Sequence, residues 1–120
     1  MIIPSDYEKT LVFYDMALAP IGIKRVMPKD NSCGFGVERP FFWLGKSGEK
    51  NPLSKHIHIA FSATSKEEVD AFYTAAIKAG GTDNGAPGYR TRYHAGYYAA
   101  FVEDFDGNNI EVVYRDPSAS

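Results

Sequence analysis

The chain has 120 residues, of which 44% are hydrophobic and 23% charged, with a formal net charge of −2. That length suits one domain with a sizeable core and argues against a disordered chain. The near-balanced charge, with only Tyr89, Arg90, Arg92 and Tyr93 as a small basic-aromatic stretch, excludes a broad surface for nucleic acid or anionic lipid.

Met1 to Pro4 is a short apolar strand. Ser5-Asp6-Tyr7-Glu8 has the form of a capping box, with the Ser5 hydroxyl accepting the Glu8 backbone N–H and the Glu8 carboxylate returning to Ser5. Tyr7, Leu11, Tyr14 and Leu18 recur at helical spacing, widened by Phe13 and Ala17. Pro20 and Gly22 stop this helix. Strands follow at Ile23 to Met27, Cys33 to Glu38 and Phe41 to Leu44, separated by turn-rich segments such as Pro28-Lys29-Asp30-Asn31. Cys33 is the only cysteine, so it forms no internal disulfide. It reads as an apolar strand residue in a reducing, cytoplasmic setting. No apolar run reaches the roughly 18 residues of a membrane span, and the first residues lack the regions of a signal peptide.

The same signals then return. His56 to Ala63 is a strand, Ser65-Lys66-Glu67-Glu68 is a second capping box, and Val69, Phe72, Tyr73, Ala76 and Ile77 form a second helical stripe ended by Gly80-Gly81. Phe13-Tyr14…Ala17-Leu18 is matched by Phe72-Tyr73…Ala76-Ile77. Cap, core and stop therefore repeat together, the mark of a duplicated unit. Asn84 to Gly88 is a turn with a strand expected from Tyr89. Strands near Tyr97 to Glu103 and Asn109 to Tyr114 flank the hairpin signal Asp104-Phe105-Asp106-Gly107. The expected organisation is one domain of two βαβββ modules: module one at 1–46, a linker at 47–54, module two at 55–115 and a frayed tail at 116–120.

Strand alternation sorts the side chains of module two. Ile57, Ile59, Phe61 and Ala63 share the face that packs on the helices, which leaves His56, His58, Ala60 and Ser62 on the other. In the last strand, Ile110, Val112 and Tyr114 oppose Glu111, Val113 and Arg115. A carboxylate centred in an apolar strand is costly to bury unless it is paired or metal-bound. His58 and Glu111 converge only if the sheet curls. By spacing alone each is equally a hydrogen-bonded or solvent-facing strand residue.

Ser5-Asp6…Phe13-Tyr14…Gly22, His58-Ile59-Ala60-Phe61, Val69…Phe72-Tyr73…Gly80-Gly81 and Tyr97 to Glu111 together resemble the vicinal-oxygen-chelate superfamily. Its members include glyoxalase I, bleomycin-resistance proteins and extradiol dioxygenases. The resemblance covers roughly residues 1 to 115 and lies nearest small stand-alone glyoxalase-like proteins. It implies an α+β fold in which two βαβββ modules form a curled mixed sheet around a central cavity, commonly in a homodimer.

It also implies a divalent metal (Zn, Ni, Fe or Mn) that chelates two adjacent substrate oxygens, with His58 and Glu111 as metal ligands. Pro40-Phe41-Phe42-Trp43-Leu44 offers no ligand in module one, and the family's first-strand histidine position falls upstream of Met1. His56 substitutes only if it reaches the same centre. Catalytic candidates are Glu111, His94 and Tyr98. Substrate-binding candidates are Phe42, Trp43, Arg90, Arg92 and Tyr97, with either arginine suited to a substrate carboxylate. The implied activity is a metal-dependent lyase or isomerase of lactoylglutathione-lyase type. The alternative is a metal-free small-molecule binding protein of the bleomycin-resistance type, with Phe41, Phe42, Trp43, Tyr97 and Tyr98 stacking on a planar ligand.

Overall fold

The computed structural model describes residues 1–48, 53–54 and 56–118. Within them are two helices, α1 (Tyr7–Leu18) and α2 (Lys66–Lys78). The strands are β1 (Lys24–Pro28), β2 (Ser32–Gly36), β3 (Pro40–Gly45), β4 (His58–Ser62), β5 (Thr82–Asp83), β6 (Gly88–Tyr89), β7 (Tyr97–Glu103) and β8 (Asn109–Arg115). Residues 49–52 of the expected linker, residue 55 at the expected start of module two, and the tail residues 119–120 lie outside the described residues.

The strands form two hydrogen-bonded sheets. The first is antiparallel, in the order β1-β2-β3. The second runs β4-β8-β7-β5, with β6 also paired to β7; its β4–β8 pair is parallel and the rest antiparallel. The result is an α+β fold with a mixed sheet, as expected.

The strand expected at Met1 to Pro4 is reduced to one parallel bridge between Ile2 and Leu44. Ile2 N–H donates to Trp43 O at 2.9 Å, and Gly45 N–H to Ile2 O at 3.0 Å. Ile3 turns its polar groups the other way, to Ser54: its N–H donates to Ser54 Oγ, and Ser54 N–H returns to Ile3 O, both at 2.8 Å. Pro4 then has no N–H with which to extend a ladder. The bridge is the first module's shortened counterpart of the parallel β4–β8 pair.

The helix starts differ from the capping-box expectation at one end. Asp6, not Ser5, caps α1, accepting the Lys9 N–H at 3.1 Å. Ser5 N–H is held by Asp106 Oδ2 at 3.1 Å, and the extended Asp6 backbone (φ −124°, ψ 93°) brings its carboxylate over the first turn. Ser65 does cap α2, accepting the Glu68 N–H at 3.2 Å, while the Glu68 carboxylate reaches one residue further, to Thr64 N–H. A 3-10 turn at Ala19–Ile21 follows α1 and closes on Gly22, whose φ of 81° needs no Cβ.

The two helices pack side by side against the sheets. Phe13, Tyr14, Ala17 and Leu18 of α1 and Val69, Phe72 and Ala76 of α2 are buried with Phe35, Leu44, Val102, Ile110 and Val112. Ile77, expected in the stripe, sits at its edge and is 36% exposed. Cys33 is buried, and burial pushes its thiol pKa up, which suits a core residue rather than a nucleophile.

The β7–β8 turn is organised by Asp104. Its carboxylate accepts the N–H groups of Asp106 and Asn108, the Asn108 amide, and the Tyr14 hydroxyl at 2.6 Å. Asn108 Oδ1 in turn accepts Ile57 N–H at 3.0 Å, next to His58. The tail expected to fray is tied at its start, with Asp116 N–H donating to Gly96 O and Tyr89 donating to the Asp116 carboxylate. Neither helix is long and apolar enough to cross a membrane.

Candidate functional site

Strand register decides which side chains meet. Glu111 stands beside Ala60 of β4 and opposite Phe101 of β7. His58, Ala60 and Ser62 therefore share a face with Asn109, Glu111 and Val113, and with Tyr97, Ala99 and Phe101. The opposite face, with Ile110, Val112, Ala100 and Val102, belongs to the core under the helices.

Glu111 is only 3% exposed. His58 Nε2 lies 2.8 Å from its Oε1, and the Tyr97 hydroxyl donates to its Oε2. Among the described residues no lysine or arginine forms an ion pair with it. Burial, and then the hydrogen bond and charge of Glu111, push the Tyr97 phenol up to about 12, so it remains a donor at neutral pH. His58 keeps an exposed ring beside the buried Glu111 carboxylate.

The other predicted residues separate. Tyr98 is one residue out of phase and lies on the helix face, where its hydroxyl donates to Asp70 of α2 at 2.6 Å. That hydrogen bond, then burial, pushes its phenol up to about 12. Its expected catalytic role does not fit this position, because alternation turns it away from Glu111. His94 is exposed on the turn before β7, its ring against Ala95 O, and is not brought to Glu111 either. His56 has a left-handed φ of 56° and packs toward Gly107 instead of joining His58.

Arg90 and Arg92 line a polar groove of about 330 Å³ with Tyr93, Phe101 and Asn109. Tyr93 packs edge-on against Tyr97, 5.2 Å between centroids, which joins this groove to the Glu111 centre. Asn109 and Phe101 were missed as candidates. The signal was available, since Asn109 is two residues from Glu111 on the same strand face; the pairing of Phe101 with Glu111 needed the register.

A separate apolar cavity of about 560 Å³ lies where the sheets meet. It is lined by Ile2, Phe41, Phe42, Trp43, Ile59 and Phe61 among others, with Ala60 and Ser62 on its β4 side. Phe42 is mostly committed to the core, packed tilted on Tyr14 and edge-on against Phe61 at 5.0 and 5.4 Å. Phe41 is 57% exposed and Trp43 half-buried, with Lys29 Nζ 5.5 Å from the Trp43 ring. Neither His58 nor Glu111 lines this cavity. The aromatic and ligand-bearing residues, expected around one centre, occupy adjoining regions.

The donor set can be tested against a divalent metal. Two ligands bound at 2.0–2.1 Å in adjacent positions sit about 3 Å apart. The 2.8 Å between His58 Nε2 and Glu111 Oε1 is close to that separation, and imidazole with carboxylate suits Zn, Ni, Fe or Mn. The pair fits two adjacent coordination positions. No cluster of three or more His, Cys, Asp or Glu suited to a metal occurs among the described residues.

A sequence profile of the Glyoxalase/Bleomycin resistance protein/Dioxygenase superfamily matches residues 1–112, and the chain belongs to that superfamily. Among solved structures, it is similar to a glyoxalase/bleomycin resistance protein from Albidiferax ferrireducens, with 29% identity and a TM-score of 0.82 over 97% of this chain and 95% of the other. It shares its fold with a glyoxalase/bleomycin resistance protein/dioxygenase family enzyme from Burkholderia phytofirmans, at 21% identity and TM-score 0.71 over 96% and 94% of the two chains. A glyoxalase-related enzyme from Fulvimarina pelagi has 16% identity and a TM-score of 0.69 over 99% and 91%. No curated protein matches the chain.

Proposed function

We propose that the protein is a metal-dependent lyase or isomerase of the glyoxalase type, acting on a small molecule with two adjacent oxygens. The observation that carries this reading is Glu111, a buried carboxylate on the face of the sheet opposite the helices, paired with an imidazole and a phenol but with no fixed cation among the described residues. A buried carboxylate without a cationic partner is stabilised by binding one. His58 and Glu111 would hold a divalent ion, which supplies Lewis-acid polarisation of the substrate oxygens.

The chain's own groups account for the remaining chemistry. Glu111 is the proton acceptor for a carbon beside a carbonyl. Tyr97, which keeps its proton at neutral pH, fixes the carboxylate through Oε2 and leaves Oε1 toward His58. A homodimer belongs to this reading. It is supported by the position of β4 at the end of its sheet and by the exposed Met1, Val37 and Phe41 around the adjoining cavity. A cytoplasmic location belongs to it as well, supported by the unpaired buried Cys33.

The test is metal content after reconstitution of the full chain with Zn, Ni, Fe(II) or Mn, one at a time, followed by dialysis. About one ion per chain is expected, lost in His58→Ala and in Glu111→Ala. A wild-type chain that retains none of the four overturns the metal-dependent reading.

The apolar cavity favours one second reading, a metal-free binding protein for a planar apolar molecule. Its volume of about 560 Å³ and the accessible Phe41 and Trp43 rings suit stacking. Tight binding of such a ligand by metal-free protein, unchanged in Glu111→Gln, would establish it.

A further inference from the structure

The groove beside Glu111 has a chemistry of its own. Arg90 and Arg92 both line it, and no acidic side chain does. Arg90 Nη2 donates to Ala86 O at 2.7 Å, and Arg92 Nη2 to the Tyr93 hydroxyl at 3.3 Å. Neither has a carboxylate partner among the described residues. A guanidinium carries five N–H donors, so each retains most of its capacity.

Both guanidinium groups are also placed rather than free to sweep. Arg90 lies 5.5 Å from the centroid of Phe101, and Arg92 lies 5.0 Å from that of Tyr93. Such stacking orients the planar fork and lowers the entropy lost on binding an anion. Asn84 Nδ2 donates to Asn109 Oδ1 across the floor, which fixes Asn109. Glu103, the next residue facing the same side of β7, does not line the groove.

Register places the groove beside Glu111. Phe101 is the direct cross-strand neighbour of Glu111, and Asn109 is two residues from Glu111 on its own strand. We propose that this groove is a subsite for a carboxylate on the far end of the substrate, so that the protein acts on small dicarboxylic molecules.

The identification of the reacting end rests on the proposed function; the anion subsite does not. Two measurements on the full-length protein keep them apart. In the first, glutarate is titrated while the arginine Nε–H resonances are followed, with sodium chloride at matched ionic strength as control. Saturable shifts of the Arg90 and Arg92 signals with glutarate alone are expected. Equal response to chloride, or no response, overturns the subsite.

In the second, calorimetry compares 2-oxoadipate with 2-oxohexanoate, which has the same chain but one acid group. The dicarboxylate should bind about tenfold tighter or more, as expected for charge-assisted hydrogen bonds. That preference should vanish in Arg90→Gln with Arg92→Gln and survive in Glu111→Gln. Equal affinity for the two acids, or a preference intact in the arginine double variant, overturns the proposal. Saturable glutarate shifts with no binding of either oxo acid leave an anion site standing but overturn its role as the far-end subsite of a dicarboxylic substrate.

Discussion

The Tyr97 hydroxyl donates a hydrogen bond to Glu111 Oε2, although the residue directly opposite Glu111 in the β7–β8 register is Phe101 and the partner of Tyr97 is Arg115. On a flat sheet Arg115 and Glu111 would stand roughly 13 Å apart along the strand. The two long side chains of Tyr97 and Glu111 lean toward each other along their shared face and close that gap. Glu111 is thereby held from both sides, by β4 through His58 and by the start of β7 through Tyr97.

The phenol at Tyr97 makes this pairing visible to pH. An unfolded tyrosine ionises near 10, whereas folded Tyr97 and Tyr98 are both pushed up to about 12. Between these values the unfolded chain gives up protons that the folded chain retains. Stability contributed by the two groups is therefore full below about pH 10 and falls as pH rises toward about 12. Buried Tyr14 is also pushed up, so tyrosinate absorbance should show several late-titrating groups, with one fewer in Tyr97→Phe and one fewer in Tyr98→Phe. A Tyr97→Phe spectrum with no late-titrating group lost would refute the assignment.

Glu111→Gln keeps the side-chain volume and removes the base. Turnover of a substrate, once one is in hand, should fall by at least about a hundredfold. The urea midpoint should move little, since the amide that replaces the carboxylate would still bond to His58 and Tyr97. A variant with nearly full turnover would exclude Glu111 as the proton acceptor.

Tyr14→Phe tests the support of the site rather than the site. Its hydroxyl bonds to the Asp104 carboxylate, which orders Asn108 and, through it, the backbone before His58. Loss of one hydrogen bond to a buried carboxylate should cost about 1.5–3 kcal/mol in urea unfolding. Asp6→Ala should cost about 1 kcal/mol through loss of the α1 cap, and Ser5→Ala much less. Equal effects at positions 5 and 6 would contradict the cap assignment.

Trp43 is the only tryptophan, and it lines the apolar cavity. A planar apolar molecule entering that cavity should alter its fluorescence saturably. A molecule held only in the groove by Arg90 and Arg92 should leave it unchanged. The emission thus reports which of the two regions a ligand uses.

Much of the architecture was legible in the sequence because it rests on local periodicity. The stripes Tyr7-Leu11-Tyr14-Leu18 and Val69-Phe72-Ala76 gave the helices their buried faces, and β7 runs from Tyr97 to Glu103 as read. The misreadings have long-range causes. Ser5 looked like a cap, but Asp106, a hundred residues away, holds its N–H and shifts the helix start to Asp6. Tyr98 looked as able as Tyr97 to serve a site, and only the register placed it against Asp70 on the other face.

The sequence by itself determined that there are two similar modules and that His58 and Glu111 face away from the core, because alternation along a strand is set by the backbone alone. Tertiary structure decided that those two side chains touch, that Tyr97 completes their setting, and that the arginines and the aromatic cavity are separate neighbouring regions. Each of these depends on which residues stand side by side across strands and on how far the sheet curves. Those are long-range properties that no local pattern carries.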